Sequence, residues 1–280
     1  MSSLAGIASS PKERPSSRGC DLHRGAAATA PRIPLPTDRW SLDMNTTPEL
    51  FFPAAPVPSL AIRGTHARFP VNRIFCVGRN YAEHAKEMGV EVDREAPFYF
   101  LKHAGAIVHS GATVAYPPGT DNYHYEMEFV VAIGAPAFRI SVERAMDAVL
   151  GYASGLDMTR RDLQLAARAK QRPWDLGKDF EDSAVVTDIV PKDAFGAVGP
   201  QRISLSVDGA VKQDARLSDL VWSVEELVSH LSHYYHLAPG DLIYTGTPAG
   251  VGPVVAGDHI TGTIDGLPSV TLSIAPAEAA

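Results

Sequence analysis

The sequence predicts an α+β fold built on mixed, largely antiparallel sheets with a few short helices. Strand-like segments outnumber helical ones, and the two kinds do not alternate as regular βαβ units would. In addition, the pairs Asp208-Gly209 and Asp265-Gly266 each separate two strand-like runs, a pattern typical of tight hairpins. Of the 280 residues, 45% are hydrophobic, which is enough for one sizeable core.

In the first half of the folded region, a strand is predicted to end at Gly78. It is followed by a short helix in RNYAEHAKEMG, which Gly89 closes as a C-cap. The segments PFYFLKHAGAIV and HYEMEFVVAIG predict the next strands, the second of which ends at Gly134. A helix is expected in SVERAMDAVLGY, with Ser141 as its N-cap.

In the second half, ASGLDM predicts a strand that leads directly into the helix TRRDLQLAARAK. A hairpin in ISLSVDGAVKQDA and the helix SVEELVSHLSHYY come next. A strand then leads into the glycine-rich loop TGTPAGVGP. Short strands in the last segment complete an arrangement dominated by strands.

The N-terminal part differs in composition. Residues 1–46 are rich in Ser, Ala, Pro and Arg and show no sustained hydrophobic period, so we expect them to be disordered. A transit peptide and a true start at Met44 are the alternatives. Residues 47–67 are proline-rich and are expected to extend over the surface of a catalytic domain that spans residues 68–280.

Composition and charge also limit the function classes. The net charge is −7 and there is no Lys/Arg-rich run, which argues against a nucleic-acid partner. No apolar run approaches the length of a membrane span. Cys20 and Cys76 lie far apart and predict neither a disulfide nor a zinc site, so we expect a reducing, cytoplasmic location.

Three acidic residues stand out from this background. Glu126 and Glu128 are two residues apart in one strand-like segment, so their carboxylates should share a face. Two anions at this distance repel each other unless a cation lies between them or one is protonated. Asp157 could complete a set of oxygen ligands for a hard divalent ion. The alternative is an edge strand with one face in water.

Two further features suggest acid–base chemistry. His84 and Glu87 are three residues apart on the predicted short helix, where a carboxylate would orient an imidazole that acts as a general base on water. Lys178 lies between the apolar residues Trp174 and Phe180, where its ammonium group could stabilise an oxyanion. A surface ion pair and a solvated lysine, respectively, are the alternatives.

Polar residues that could contact a ligand follow Asp157 and occur in the glycine-rich loop. Arg161 and Gln164 come four and seven residues after Asp157, on one stripe of a helix. Thr247 could donate a hydrogen bond to a ligand carboxylate, since glycines permit close approach of the loop backbone. A solvated helix face and a tight turn between strands remain open as alternatives.

Six motifs in order resemble the fumarylacetoacetate hydrolase family. They are VGRNYAEHAKEMG, PFYFLKHAGAIV, HYEMEFVVAIG, GYASGLDMTRRDLQ, LGKDFEDSA and PGDLIYTGTPAGVGP. The resemblance implies a β-roll fold and a homodimer. It also implies Mg²⁺ or Mn²⁺ ligands at Glu126, Glu128 and Asp157, a water-activating dyad of His84 and Glu87, the family lysine at Lys178, and substrate contacts from Arg161, Gln164 and Thr247. One departure is that Glu181 and Asp182 follow the GKDF element where a single aspartate is usual.

This resemblance implies a metal-dependent hydrolase that acts on a carbon–carbon bond of a ketonic substrate, a 2,4-dioxo acid. Related activities on the same scaffold stay open: acylpyruvate or maleylpyruvate hydrolysis, oxaloacetate decarboxylation, and 2-hydroxymuconate isomerisation or decarboxylation. A protein that binds a metal or a small acid without catalysis is a further alternative, although it predicts that one of the dyad or ligand positions is missing, and all are present. A purely structural or interaction protein would not need these polar groups together.

Overall fold

The structure is a computed structural model that describes residues 50–89 and 94–279. The disorder expected for residues 1–46, the alternatives raised for that segment, and Cys20 lie outside the described residues. Cys76 is buried with a free thiol. Every described helix is too short or too polar to span a bilayer.

The described residues contain eighteen strands and five α-helices. The strands are β1 (Ser59–Ala61), β2 (Arg68–Pro70), β3 (Ile74–Gly78), β4 (Phe98–Lys102), β5 (Ile107–His109), β6 (Ala112–Ala115), β7 (Tyr123–Tyr125), β8 (Met127–Ile133), β9 (Val149–Asp157), β10 (Thr159–Arg160), β11 (Ala184–Val186), β12 (Val190–Pro191), β13 (Arg202–Val207), β14 (Ala210–Arg216), β15 (Leu242–Tyr244), β16 (Gly252–Val254), β17 (His259–Ile264) and β18 (Val270–Ala275). The helices are α1 (Ala82–Glu87), α2 (Arg161–Ala169), α3 (Asp175–Lys178), α4 (Lys192–Phe195) and α5 (Val224–Ser232), and 3₁₀ helices span Ala104–Ala106, Val142–Ala148 and Leu217–Asp219.

The strands form four sheets. The largest has the order β4-β3-β15-β8-β9-β11-β5, and β12 also pairs with β9. Within it, β15 runs parallel to β3 and β11 parallel to β5, while its other pairs are antiparallel. A second sheet has the order β14-β13-β17-β18-β6, and two small sheets contain β10-β7-β16 and β1-β2. The predicted fold class, mixed sheets with few short helices, is confirmed.

Strand β8 lies at the centre of the largest sheet, and both of its faces are buried. Phe129 and Val131 pack into one hydrophobic cluster, whereas Val130 and Ala132 pack into a second cluster on the opposite face. The alternative of an edge strand with one face in water is therefore wrong. Because β8 is paired with a strand on each side and packed on both faces, its backbone is rigid, and so are the positions of the residues in it and next to it.

The segment HYEMEFVVAIG forms two strands rather than the single strand predicted. Strand β7 ends at Tyr125 and β8 begins at Met127, so Glu126 lies at the junction between two different sheets. The reason is long-range pairing: β7 pairs with β10 and β16, whereas β8 pairs with β9 and β15. Hydrophobic alternation within one segment cannot reveal a change of sheet.

The helix predicted in SVERAMDAVLGY is also shorter than expected. A 3₁₀ helix spans Val142–Ala148, with Ser141 before it as predicted, but Val149 already begins β9. The end of the segment is drawn into the sheet, where Gly151 pairs with Ala132. A Cβ at Gly151 would lie 2.2 Å from the carbonyl oxygen of Val190, so only glycine fits between these strands.

The chain joins the packed region earlier than residue 68, the predicted start of the catalytic domain. Strand β1 pairs antiparallel with β2, and Leu60 is fully buried in the hydrophobic cluster that contains Val130. Both predicted hairpins are present, between β13 and β14 and between β17 and β18. Asp208 and Gly209 have φ angles of 48° and 79°, as a type I′ turn requires.

We expect Leu60→Ala to lower the free energy of unfolding by about 2–5 kcal/mol, because it leaves a cavity in the core. Chemical denaturation measures this change. Val57→Ala is the matched control, since Val57 is 66% exposed and its truncation should cost less than about 0.5 kcal/mol. Equal stability of the two variants would mean that β1 does not belong to the core.

Candidate active site

Three carboxylates meet at the centre of the largest sheet. Glu126, Glu128 and Asp157 are buried, and each offers an oxygen that lies within 4.8 Å of the other two. The backbone amide of Asp157 donates to the carbonyl of Glu126 at 2.9 Å, and Glu128 pairs with Gly155 in the ladder between β8 and β9. The register of these two strands therefore brings together residues that are about thirty positions apart.

Lys178 neutralises two of these acids. Its ammonium group donates to Glu126 at 2.7 Å, to Asp157 at 2.6 Å and to the hydroxyl of Thr159 at 2.7 Å. Burial opposes the charge of Lys178, but the carboxylates of Asp157 and Glu126 outweigh burial and raise its pKa. Lys178 is 2% exposed and ends the short helix α3, so the alternative of a solvated loop lysine is wrong.

A second buried lysine was not predicted. Lys102, from β4, has its Nζ 2.9 Å from Oδ1 of Asp157. It also donates to the hydroxyl of Ser183 at 2.9 Å and to the backbone carbonyl of Lys178. Lys102 thus links the carboxylates to the segment that carries Lys178. The signal available in the sequence was a charged residue at the end of the apolar run FYFLK.

The three acids differ in their electrostatic surroundings. Burial opposes ionisation of Glu126, but Lys178 and Arg161 outweigh it and hold the pKa of Glu126 below its usual range. Burial, together with the charges of Asp157 and Glu126, raises the pKa of Glu128 well above its usual range. The backbone amide of Gly246 donates to Glu128 at 2.7 Å, and within the described part of the chain no cationic side chain forms an ion pair with it.

These features fit a divalent cation. Three buried carboxylates form the hard oxygen donor set that Mg²⁺ and Mn²⁺ prefer. Oδ1 of Asp157 receives no aligned hydrogen bond, although Lys102 lies close to it. A cation beside Glu128 would also favour its ionised form, which the neighbouring acids alone disfavour.

The predicted dyad is formed on α1. Nδ1 of His84 lies 3.2 Å from Oε2 of Glu87, and the backbone amide of Gly250 donates to the same carboxylate at 3.2 Å. Gly89, at φ 72°, follows the end of the helix as predicted. Burial of the imidazole lowers the pKa of His84, so its ring is neutral near pH 7 and can accept a proton. His84 is 7% exposed, which rules out the surface-pair alternative for the histidine.

The predicted polar contacts are buried as well. Arg161 donates to Glu126 and to the side-chain oxygen of Gln164, so these two residues occupy an inner face of α2 rather than a solvated one. Thr247 accepts a hydrogen bond from Gln213 at 2.8 Å, and Gln213 in turn accepts one from the amide of Met127. No local pattern marks Gln213, which reaches the site from β14.

Seven of the nine predicted site residues line one cavity. They are His84, Glu126, Glu128, Arg161, Gln164, Lys178 and Thr247. The other two do not line the cavity themselves, but each contacts a residue that does: Asp157 accepts a hydrogen bond from Lys178, and Glu87 contacts His84. The cavity thus brings together an acid cluster, made of Glu126, Glu128 and Asp157, that could hold a cation, a general-base candidate and a buried ammonium group.

Comparison with known proteins identifies the family to which the chain belongs. Residues 73–275 match the family model described as fumarylacetoacetate (FAA) hydrolase C-terminal, so the chain belongs to the fumarylacetoacetate hydrolase family. It is 56% identical over 193 residues to a fumarylpyruvate hydrolase from Ralstonia sp., which covers 68% of this chain and 100% of that protein. It is 40% identical over 205 residues to a mitochondrial oxaloacetate tautomerase from Mus musculus, covering 73% and 92% of the two chains.

A solved structure supports the same relationship. The fumarylpyruvate hydrolase from Pseudomonas aeruginosa, in complex with Mn²⁺ and pyruvate, superimposes with a TM-score of 0.79 at 47% identity. The match covers 82% of this chain and 100% of that one. A relative with Mn²⁺ bound agrees with the metal-binding character of the acid cluster.

We expect Glu126→Gln to abolish Mn²⁺ binding, because the substitution removes one anionic oxygen donor from the cluster. Titration calorimetry measures the affinity, and thermal melting verifies that the variant is folded. The control is Glu143→Gln, which removes an exposed carboxylate from the 3₁₀ helix and should leave Mn²⁺ affinity unchanged. Unchanged affinity in Glu126→Gln would remove this residue from the ligand set.

Proposed function

We propose that this protein hydrolyses the C3–C4 bond of fumarylpyruvate and releases fumarate and pyruvate, a step of gentisate-type degradation of aromatic compounds. The observation that carries the proposal is the juxtaposition of the His84–Glu87 pair and the acid cluster on one cavity. Within the family, the segments RIFCVGRNY, LDMTRRDLQ, RPWDLGK and YTGTPAGVGPV most resemble bacterial fumarylpyruvate hydrolases.

Glu126, Glu128 and Asp157 would hold the Mg²⁺ or Mn²⁺ ion. When bound, the ion supplies a positive charge that stabilises negative charge developing on the 2-oxo acid part of the substrate. The Mn²⁺ and pyruvate in the Pseudomonas relative support this assignment. Mg²⁺ and Mn²⁺ both accept carboxylate oxygens, so the donor set is compatible with either.

His84 is the general base. Its Nδ1 faces Glu87, so Nδ1 carries the proton that is shared with this carboxylate, and Nε2 keeps the free lone pair. Nε2 removes a proton from a water molecule as the water oxygen attacks the C4 carbonyl carbon. Glu87 keeps the ring in this tautomer and stabilises the imidazolium that forms.

Lys178, whose three N–H groups donate to Glu126, Asp157 and Thr159, stabilises the oxyanion that develops at C4 through its positive charge. When the C3–C4 bond breaks, its electron pair remains on C3 of the pyruvate portion, which takes up the proton that His84 removed from water and so returns the imidazole to its neutral form. Arg161, Gln164 and Thr247 position the oxo groups and the proximal carboxylate from the cavity wall. Arg161 does so while it is paired with Glu126, so its guanidinium also fixes the orientation of a metal ligand.

A second candidate is another reaction of the family on a 2-oxo acid, such as oxaloacetate tautomerisation. The 40% identity to the mouse enzyme favours it as the alternative to test. The His84–Glu87 contact favours water activation over a reaction that needs no water. We also propose a homodimer, from the family resemblance and the exposed apolar side chains of Phe98, Leu101 and Leu176, and a cytoplasmic location.

The direct test of the proposed function is turnover of a substrate panel with and without added Mn²⁺. We expect fumarylpyruvate to be consumed fastest, with maleylpyruvate, acetylpyruvate and oxaloacetate slower, and we expect activity to be lost after metal removal. Loss of the dienolate absorbance measures the rate for the 2,4-dioxo acids, and loss of the enol absorbance measures it for oxaloacetate. Conversion of oxaloacetate alone would contradict the proposal.

We expect His84→Ala to lower kcat about 10²- to 10⁴-fold, the range of a general base, because the substitution removes the imidazole that accepts the proton from water. Steady-state kinetics and Mn²⁺ calorimetry on the same sample check this expectation, since metal affinity should hold. His233→Ala is the control, because His233 caps α5 and does not line the cavity. Loss of Mn²⁺ binding with kcat preserved would overturn the role assigned to His84.

A further inference from the structure

The cavity has a cationic end that the proposed reaction does not yet use. Arg79, directly after β3, and Arg168, in the last turn of α2, line it together with Phe100 and Trp174. Among residues 50–89 and 94–279, neither guanidinium forms an ion pair with a carboxylate. Arg168 donates to the backbone carbonyl of Met88 at 3.2 Å, and Arg79 lies 5.6 Å from the ring centroid of Phe98.

Arg161 cannot serve the same purpose. Its guanidinium is paired with Glu126 and Gln164 beside the acid cluster. Arg168 lies seven residues later on the same helix, which places the two Cα atoms about 10 Å apart along the axis and on nearly the same face. One arginine therefore belongs to the acid cluster, and the other lies about two helical turns away from it.

The wall between the two ends is aromatic. The ring centroid of Trp174 lies 5.9 Å from that of Phe100 and 5.0 Å from that of Phe98. Nζ of Lys178, at the acid cluster, lies 4.9 Å from the ring centroid of Phe100, and the guanidinium of Arg79 lies 5.6 Å from that of Phe98, so aromatic surface separates the two charged groups. A ligand that matches this arrangement is negatively charged at both ends and apolar between them.

The backbone around Arg79 is held in an uncommon conformation. Arg79 has a φ of 61°, which is unfavourable for a residue with a side chain and is more frequent at functional sites. The next residue, Asn80, is fully buried, and its amide group donates to the carbonyl of Thr245 at 2.8 Å and accepts from the amide of Trp222 at 2.7 Å. These bonds maintain the turn that Arg79 requires.

We propose that Arg168, assisted by Arg79, binds the distal carboxylate of the substrate and makes the enzyme selective for dicarboxylates over 2-oxo acids that end in an apolar group. The proposal rests on the proposed function for the identity of the substrate, in which the fumaryl carboxylate is the distal group. A guanidinium–carboxylate contact is a charge-assisted hydrogen bond, so its loss should cost about tenfold or more in affinity.

The test measures binding rather than turnover, with two ligands of equal chain length. 2-Oxopimelate ends in a carboxylate and 2-oxoheptanoate ends in a methyl group. Calorimetry on the Mn²⁺-loaded protein gives the ratio of their affinities. We expect the wild type to favour 2-oxopimelate by about tenfold, Arg168→Met to lose most of this preference, and Arg168→Lys to keep part of it.

Arg63→Met is the matched control. Arg63 is exposed and lines neither this cavity nor the adjoining one that Arg168 also lines, and the substitution removes the same charge, so the preference should be unchanged. Equal weakening of both ligands in Arg168→Met would assign this residue a structural role through Met88 and overturn the proposal, as would an undiminished preference. If Arg168→Met loses the preference for 2-oxopimelate but the wild type does not hydrolyse fumarylpyruvate, the proposed function is wrong and the dicarboxylate site is still supported.

Discussion

The site depends on cationic groups that compensate the negative charge of three carboxylates buried together. Burying an ionised acid is costly unless a partner of opposite charge is buried with it. Lys178 contacts both Glu126 and Asp157, and Lys102 and Arg161 approach the same acids from other elements. Among the described residues, a backbone amide is the only hydrogen-bond donor to Glu128, so Glu128 is the member of the cluster whose ionisation depends most on a bound cation.

The glycine-rich loop after β15 connects the acid cluster to the proton acceptor. Gly246 donates to Glu128, and four residues later Gly250 donates to Glu87, the partner of His84. Both glycines have positive φ angles, 101° and 96°, and a Cβ at Gly250 would lie 2.0 Å from the carbonyl oxygen of Lys212. One short loop therefore contacts both an acid of the cluster and the carboxylate of the dyad.

The sequence predicted the members of the site better than the path of the chain through it. Glu126 and Glu128 were expected to share a face of one strand, yet Glu126 precedes β8 and reaches the cluster through its backbone bond with Asp157. The sequence spacing of His84 and Glu87 was sufficient to predict their contact, because both residues lie on one short helix. Lys102 and Gln213 escaped prediction because they arrive from strands far away in sequence, where only the sheet register shows the contact.

We propose that Glu126, Glu128 and Asp157 together bind one divalent cation. Crystals grown with Mn²⁺, measured at the manganese absorption edge, test it most directly through the anomalous difference density. We predict one strong peak within about 2.0–2.3 Å of a carboxylate oxygen from each of the three residues. A peak that touches fewer than three of them, or no peak between them while Mn²⁺ binds elsewhere, would contradict the account.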